Sequence, residues 1–332
     1  MGASAGGLEA YRRVLAELPA DLPAAVFAVI HMPANAPGLL AQVLGRHARM
    51  PVYEAEDGGR IREGRVYVAR PDHHLLVARD RVRVLRGPKQ NRSRPAIDVL
   101  FRSAAVAFGP RVIGVVLSGN LDDGTAGLSA IKNRGGYAIV QDPSDAEFSG
   151  MPQSAVNHVQ VDEQPPLAAI GAAVIAAVGG DIDLPAPTTR PELEIEMRSD
   201  SGEGRMEDMQ AIGTPSVFTC PECSGTLWEI GDHDLPRFRC RVGHAYSAES
   251  LVAEQDDAVE DALWAGLRSL EENATTARRM AERFRLRPAT VTLSARYETK
   301  ARVHDKHAAE LRRLLTEKTP ADKVPQEEPP TS

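Results

Sequence analysis

The sequence is short of cysteine, short of aromatic side chains and without a long apolar run, and each shortage excludes a class of protein. Its three cysteines, Cys220, Cys223 and Cys240, fall in one short window of a 332-residue chain. An odd count so placed does not build the disulfide framework of a small secreted fold. The longest apolar stretch, Leu167 to Val178, is well below the roughly 20 residues that cross a bilayer, so it predicts a buried helix and no membrane insertion. No basic segment followed by an apolar run opens the chain, and a cytoplasmic protein is expected. A basic surplus is lacking too: 39 Lys and Arg against 46 Asp and Glu leave a net charge of -7. That balance argues against a nucleic-acid partner, whose phosphates require a basic face. With aromatics at 5 %, the core has to be built mainly from aliphatic side chains.

Aliphatic material is plentiful, and its spacing is informative. Ala24 to Ile30, Val112 to Leu117 and Ala138 to Val140 are short apolar runs ending in polar or glycine residues, the pattern of buried parallel strands. Between them, Leu8, Tyr11, Val14, Leu15 and Leu18 share one helix face. Ile97, Leu100, Phe101 and Ala104 mark a second helix, and Leu128 with Ile131 a third that stops at Gly135-Gly136. The alternation from Gly64 to Leu85 predicts a small antiparallel hairpin insert. Residues 1–178 are therefore expected to form an α/β domain, a three-layer, doubly wound, mostly parallel sheet.

Residues 179–214, rich in Gly, Pro, Ser, Thr and acidic residues, predict a flexible linker. A compact Cys/His module is expected over 215–246 and a helical hairpin over 247–318. Leu251, Val259, Leu263, Leu267 and Leu270 form its first stripe, Arg287-Pro288 its break, and Val303, Leu311 and Leu314 its second stripe. The Pro- and Glu-rich tail, 319–332, is expected to be disordered.

Gly2-Ala3-Ser4-Ala5-Gly6 fits Gly-x-Ser-x-Gly, in which small neighbours allow a serine to stand exposed on a tight strand-to-helix turn. On its own the motif is weak, because glycine-serine loops are common. A phosphate-cradling loop is the rival reading. Against it, Ser4 stands where a dinucleotide fingerprint has its second glycine, and the next strand ends in His31, not in an acidic residue. A histidine at the same sheet edge suits a serine nucleophile. The strand ending at Leu117 leads into Ser118-Gly119-Asn120-Leu121-Asp122-Asp123-Gly124, which offers two carboxylates to orient that histidine. Asp123 is equally suited to cap the helix that follows.

Five motifs in order now carry a resemblance: Gly2 to Gly7, His31-Met32-Pro33, Arg94-Pro95-Ala96-Ile97-Asp98-Val99-Leu100-Phe101, Ser118-Gly119 through Asp123-Gly124, and Gly150-Met151-Pro152. Over nearly all of residues 1–178 the chain resembles chemotaxis protein-glutamate methylesterases of the CheB type. The resemblance implies Ser4 as nucleophile, His31 as general base and acid, and Asp123, rather than Asp122, as the orienting carboxylate. It implies an oxyanion site at the Asn120 backbone N–H, in a place where methionine is commoner, with Gly119 beside it and Met151 either near the substrate or only shaping a loop. The reaction implied is hydrolysis of glutamate γ-methyl esters on the cytoplasmic helices of methylated chemoreceptors, with receptor glutamine deamidation in some members and no cofactor for catalysis. The receiver domain usual in the family is not found in this sequence, so either constitutive activity or control by a separate signalling regulator is expected.

Two features stand apart from that resemblance. Only Met1-Gly2-Ala3 precede Ser4, so the strand that should hold the elbow is expected to be missing and the natural start to lie upstream. Cys220-Pro221-Glu222-Cys223 and Cys240-Arg241-Val242-Gly243-His244 have the paired-knuckle spacing of a structural zinc site, with Trp228 and Phe238 expected to pack around it. His233 is the weaker ligand candidate. Four protein ligands leave a zinc no open position, so the metal is expected to stabilise and not to catalyse. The alternative function is a non-catalytic signalling scaffold whose zinc and helical parts bind a partner.

Overall fold

A computed structural model describes residues 1–180, 191–231, 235–286 and 291–316. The Arg287-Pro288 break, His233 and the tail lie outside the described residues. The strands of the first domain are β1 (Gly2–Ala3), β2 (Ala25–Ile30), β3 (Val52–Glu54), β4 (Arg65–Val68), β5 (His74–Val77), β6 (Val82–Leu85), β7 (Ile113–Val116) and β8 (Tyr137–Val140). Six form one sheet in the order β3-β4-β2-β1-β7-β8, every pairing parallel, while β5 and β6 pair antiparallel as a hairpin. The insert is thus smaller than the sequence predicts. Arg65 to Val68 belongs to the main sheet, where its β-branched positions are buried against β2.

Helices α1 (Gly7–Glu17), α2 (Leu40–Gly45), α3 (Ile97–Phe108), α4 (Thr125–Asn133), α5 (Gly150–His158) and α6 (Leu167–Gly179) cover the sheet. Side chains alternate across a strand, so one strand feeds two cores. Ala28, Ile30, Val115 and Leu117 pack with Tyr11, Val14, Leu15 and Ile170 on one face. Val29, Val116 and Val140 pack with Leu100, Phe101, Leu128 and Met151 on the other. This is the doubly wound α/β architecture expected. The central place between β2 and β7, expected to stand empty, is taken by Gly2–Ala3, which pair with both neighbours. Met1 extends the pairing by accepting the Val29 N–H.

The described part of the expected linker is not flexible chain. It holds α7 (Pro191–Asp200) and α8 (Met206–Ile212), followed by a four-stranded antiparallel sheet of β9 (Gly213–Thr219), β10 (Thr226–Ile230), β11 (Arg237–Cys240) and β12 (Ala245–Ser247). The linker expectation rests on Gly, Pro, Ser, Thr and acidic residues with little apolar periodicity, yet the charges of α7 are its attachment. Asp200 is fully buried and accepts from Arg102 Nε at 3.1 Å, from Arg239 Nη1 at 2.8 Å and from Gln90 Nε2 at 2.5 Å. Glu196 accepts two bonds from Arg237, at 2.6 and 2.8 Å. Burial opposes ionisation of Glu196, but the surrounding guanidinium groups overcome it and hold the carboxyl at about 2.

Residues 1–252 form one compact unit and residues 253–332 another, so the division falls inside the helix α9 (Ala248–Arg285). In the second unit α9 runs antiparallel to α10 (Val291–Thr316), with Arg278 paired to Asp305 and Arg312 to Glu271. Of the expected stripes Leu267 is buried, while Val259, Val303 and Leu314 are exposed; the other buried positions are mostly small, Ala274, Ala277, Ala281, Ala301 and Ala308.

Candidate active site

In a parallel sheet the strand ends that precede crossovers lie along one edge, so adjacent strands deliver their next residues to the same place. Ser4 follows β1, His31 follows β2, and Asp123 lies in the loop after β7; these three strands are neighbours. The Ser4 N–H donates to the Ser118 carbonyl at 3.0 Å and the Ser4 carbonyl accepts from Gly7 at 2.9 Å. Between them Gly6 has φ 72°, a left-handed value that a side chain resists, and the chain turns into α1 within three residues. The loop after β7 is also strained, since Leu121 has φ 59°.

His31 Nδ1 lies 3.2 Å from Ser4 Oγ, and His31 Nε2 lies 2.6 Å from Asp123 Oδ2. The carboxylate therefore fixes the tautomer: Nε2–H donates to Asp123, and Nδ1 offers its lone pair to the serine hydroxyl. This reverses the ring-nitrogen assignment of the trypsin-like triad while keeping its logic. Asp122, the other candidate, faces away and accepts from Ser247 Oγ at 2.7 Å.

Asp123 is 2 % exposed and accepts four hydrogen bonds. Oδ2 takes His31 Nε2–H and the Ile97 N–H, both at 2.6 Å; Oδ1 takes Asn91 Nδ2 at 2.9 Å and the Asp98 N–H at 3.2 Å. Burial pushes its pKa up, but the His31 bond and charge and these donors outweigh that and hold the carboxyl below its ordinary range. Its neighbour Asp98 goes the other way, to about 6, because of burial and then the charge of Asp123. Asp98 Oδ1 accepts from the N–H groups of Gly124 and Gly127, tying the loop to the start of α4.

Asn91 and Asp98 are functional candidates that sequence reasoning missed. Asp98 lies inside a motif quoted for the resemblance but carried no role. Asn91 sits in a polar, non-periodic stretch, and its one signal is an asparagine's tolerance of the left-handed region, which it occupies at φ 45°.

Of the residues expected around the oxyanion, Asn120 reaches the site: with Ser4, His31, Asn91 and Arg92 it lines a cleft of about 160 Å³. Gly119 adjoins Ser4, but its N–H already donates to the Phe148 carbonyl at 2.9 Å. A side chain there has no room, since a Cβ would lie 2.1 Å from Met151 Sδ and 2.8 Å from Ser4 Cβ. Met151 itself is fully buried in the core, with its N–H on the Gly119 carbonyl at 2.8 Å. It shapes the Gly119 turn from below and does not face a substrate.

The cysteines and His244 meet as the sequence predicts. Their ligand atoms all lie within 4.8 Å of one another, with Cys220 Sγ and Cys240 Sγ 3.7 and 3.6 Å from His244 Nδ1 and Cys223 Sγ 3.6 Å from Cys240 Sγ. Bonds of about 2.0–2.3 Å to a tetrahedral zinc imply edges of about 3.5–3.8 Å, which those three separations match, and three cysteines with one histidine are a donor set of that ion. The hydrogen bond between Cys220 and Cys240 splits the two thiols, drawing Cys220 toward the thiolate and pushing Cys240 up. Phe238, Leu227 and Tyr246 pack around the cluster. Trp228, expected with them, is one residue along β10 from Leu227 and so turns to the opposite face.

The family model described as CheB methylesterase matches residues 1–174 of this chain. A Xanthomonas campestris protein-glutamate methylesterase/protein-glutamine glutaminase is 42 % identical over 180 residues, 53 % of this chain and 50 % of its own length. A putative enzyme of the same description from Leptospira interrogans is 40 % identical over 163 residues, 49 % of this chain and 84 % of its own. This chain thus spans about half the length of the Xanthomonas relative. The crystal structure of the Thermotoga maritima CheB methylesterase catalytic domain superposes with a TM-score of 0.50 at 32 % identity, covering 52 % of this chain and 94 % of that one.

Proposed function

The chain belongs to the CheB methylesterase family, and on that premise we propose that it hydrolyses glutamate γ-methyl esters on the cytoplasmic helices of methylated chemoreceptors. The observation that carries this reading is the hydrogen-bonded series Ser4, His31, Asp123 at three adjacent strand ends. Ser4 Oγ attacks the ester carbonyl while His31 Nδ1 takes its proton. The resulting oxyanion is met by the backbone N–H of Asn120, and Asp123 stabilises the imidazolium. His31 returns the proton to the departing methoxide, methanol leaves, and an acyl-enzyme on Ser4 remains. Water, activated by His31, releases the glutamate. A glutamine side chain reaches the same acyl-enzyme with ammonia as the leaving group.

Ser4 and His31 line two clefts, one of about 160 Å³ beside Asn120 and one of about 430 Å³ beside Gly6, Leu8 and Glu147, so a side chain presented by a protein surface has room on either side of the serine. Because the oxyanion donor is a backbone group, Asn120→Ala is expected to keep activity within about threefold. Zinc, held by Cys220, Cys223, Cys240 and His244, would stabilise the small sheet, with no position left open for chemistry. Among the described residues no helix is long and apolar enough to cross a membrane. Methanol release from methylated receptor, compared with Ser4→Ala, is the deciding experiment. Equal rates would discard the esterase and leave the scaffold reading.

A further inference from the structure

Asn91 uses all of its side-chain hydrogen-bonding capacity, and the two halves of that capacity face different parts of the chain. Its Nδ2 donates to Asp123 Oδ1 at 2.9 Å and to Asp98 Oδ2 at 3.0 Å. Its Oδ1 accepts from the Ser247 N–H at 2.9 Å and from Ser250 Oγ at 3.1 Å. The amide orientation is set by chemistry, because a flipped Asn91 would place its oxygen against two carboxylates and its NH2 against two donors. Asn91, Ser247 and Ser250 are all buried, so water has little access to replace a lost partner.

The accepting end is anchored by a different module from the donating end. Ser247 closes β12, three residues beyond the zinc-ligand candidate His244, and its Oγ accepts the Ser250 N–H at 3.0 Å, which makes it the cap of α9. The same hydroxyl donates to Asp122, the residue before Asp123. The backbone adds its own ties: the Asn91 N–H donates to the Ala245 carbonyl at 2.8 Å, and the Ala245 N–H to the Lys89 carbonyl at 3.3 Å. The turn that carries Asn91 is therefore a strand-like neighbour of β12, and the carboxylate that orients His31 is held on one side by a residue that the C-terminal module holds.

We propose that Asn91 is a positioning residue for Asp123 and that the Ser247–Ser250 turn, which follows the Cys/His module, is the strut that sets it. The inference rests on Ser4, His31 and Asp123 being the catalytic groups. It makes the C-terminal extension a supporting part of the esterase site and not only an appended docking element. Loosening this turn frees Asn91 to rotate, and Asp98 and Asp123 then face each other without the donor they share.

The test uses the full chain with Ser250→Ala, Asn91→Ala and the isosteric Asn91→Asp. Two readouts are taken: the rate at which a fluorophosphonate labels Ser4, and kcat and KM for a peptide carrying a glutamate γ-methyl ester. A hydrogen bond to a charged group, lost from the orienting carboxylate, is expected to lower kcat by about tenfold to a hundredfold in Asn91→Ala, with KM within about twofold. Asn91→Asp is expected to fall further, because it sets a third carboxylate beside two. Ser250→Ala is expected to lose about threefold to tenfold in kcat while labelling falls in parallel. If these variants lower the melting temperature yet keep wild-type kcat and labelling, Asn91 is merely structural and the inference is overturned. If the wild type is labelled no faster than Ser4→Ala, the esterase reading fails, and this inference with it.

Discussion

His31 Nε2 and Asp123 Oδ2 lie 2.6 Å apart, and that single contact decides which nitrogen of the imidazole is free to meet Ser4. An amide at position 123 can present its NH2 to Nε2, which would reverse the tautomer and leave Nδ1 carrying a proton toward the serine. Asp123→Asn is therefore expected to lower kcat by about 10³–10⁴-fold with little change in KM. Ester hydrolysis measured beside circular dichroism checks this, since the fold should persist.

Asp122 has the opposite environment. Burial raises its carboxyl to about 7, and the Ser247 hydroxyl offsets this only in part. In the unfolded chain it ionises near its ordinary value, so between about pH 4 and 7 the native state holds a proton that the unfolded state has lost. Stability from this group is present at low pH and declines as pH rises through 7. Asp122→Asn, which stays neutral, is expected to match the wild type near pH 4 and to exceed it at pH 8 by on the order of 2–4 kcal/mol. Urea denaturation at the two pH values reads the difference directly.

The network around Asp200 and Glu196 titrates with the reverse sign. Both carboxyls are depressed, burial opposing and the guanidinium groups prevailing. Their contribution is complete above the ordinary carboxylate range and is lost as pH falls toward 2. Arg102 has contacts with both carboxylates, so Arg102→Ala leaves buried charge unpaired and is expected to cost about 3–5 kcal/mol at pH 7. The gap to wild type should narrow markedly by pH 3, as chemical denaturation at both values would reveal.

The candidate catalytic residues were legible from a serine turn and from polar residues beyond apolar strands, His31 after Ile30 and the acidic pair beyond Leu117, while the choice of Asp123 over Asp122 came from the family resemblance. What could not be read were the contacts between distant segments that no motif or strand end marks. Nothing local to Asn91 points to Ser247, 156 positions away, and nothing in the charge of α7 reveals that Arg102, Arg237 and Arg239 await it. The two-residue β1 was misjudged for a related reason. Propensity needs a run of residues, whereas a strand flanked on both sides in a parallel sheet is held by its neighbours' hydrogen bonds. Met151 had two readings from its motif, near the substrate or shaping a loop, and its burial beneath Gly119, which depends on packing, favours the second.

Metal removal is expected to separate the small sheet from the site's own chemistry. Zinc is predicted at one equivalent per chain, absent from Cys220→Ser, and its chelation should lower the melting temperature by several degrees. Elemental analysis with differential scanning calorimetry checks both; a purified protein carrying no stoichiometric metal would sink the assignment.

Gly119 offers the most local test of the site's geometry. A methyl group there meets Met151 Sδ from one side and Ser4 Cβ from the other, at 2.1 and 2.8 Å. A methionine tail can shift, but Ser4 is fixed by the bond from its N–H to Ser118 and the turn through Gly6. Gly119→Ala should therefore displace the nucleophile, lowering kcat by about a hundredfold or more, as expected for misplacement on the order of 1 Å. Adding Met151→Ala relieves the sulfur contact and leaves the serine contact in place. The double variant is expected to remain poorly active, so recovery of wild-type kcat would trace the defect to Met151 and not to Ser4.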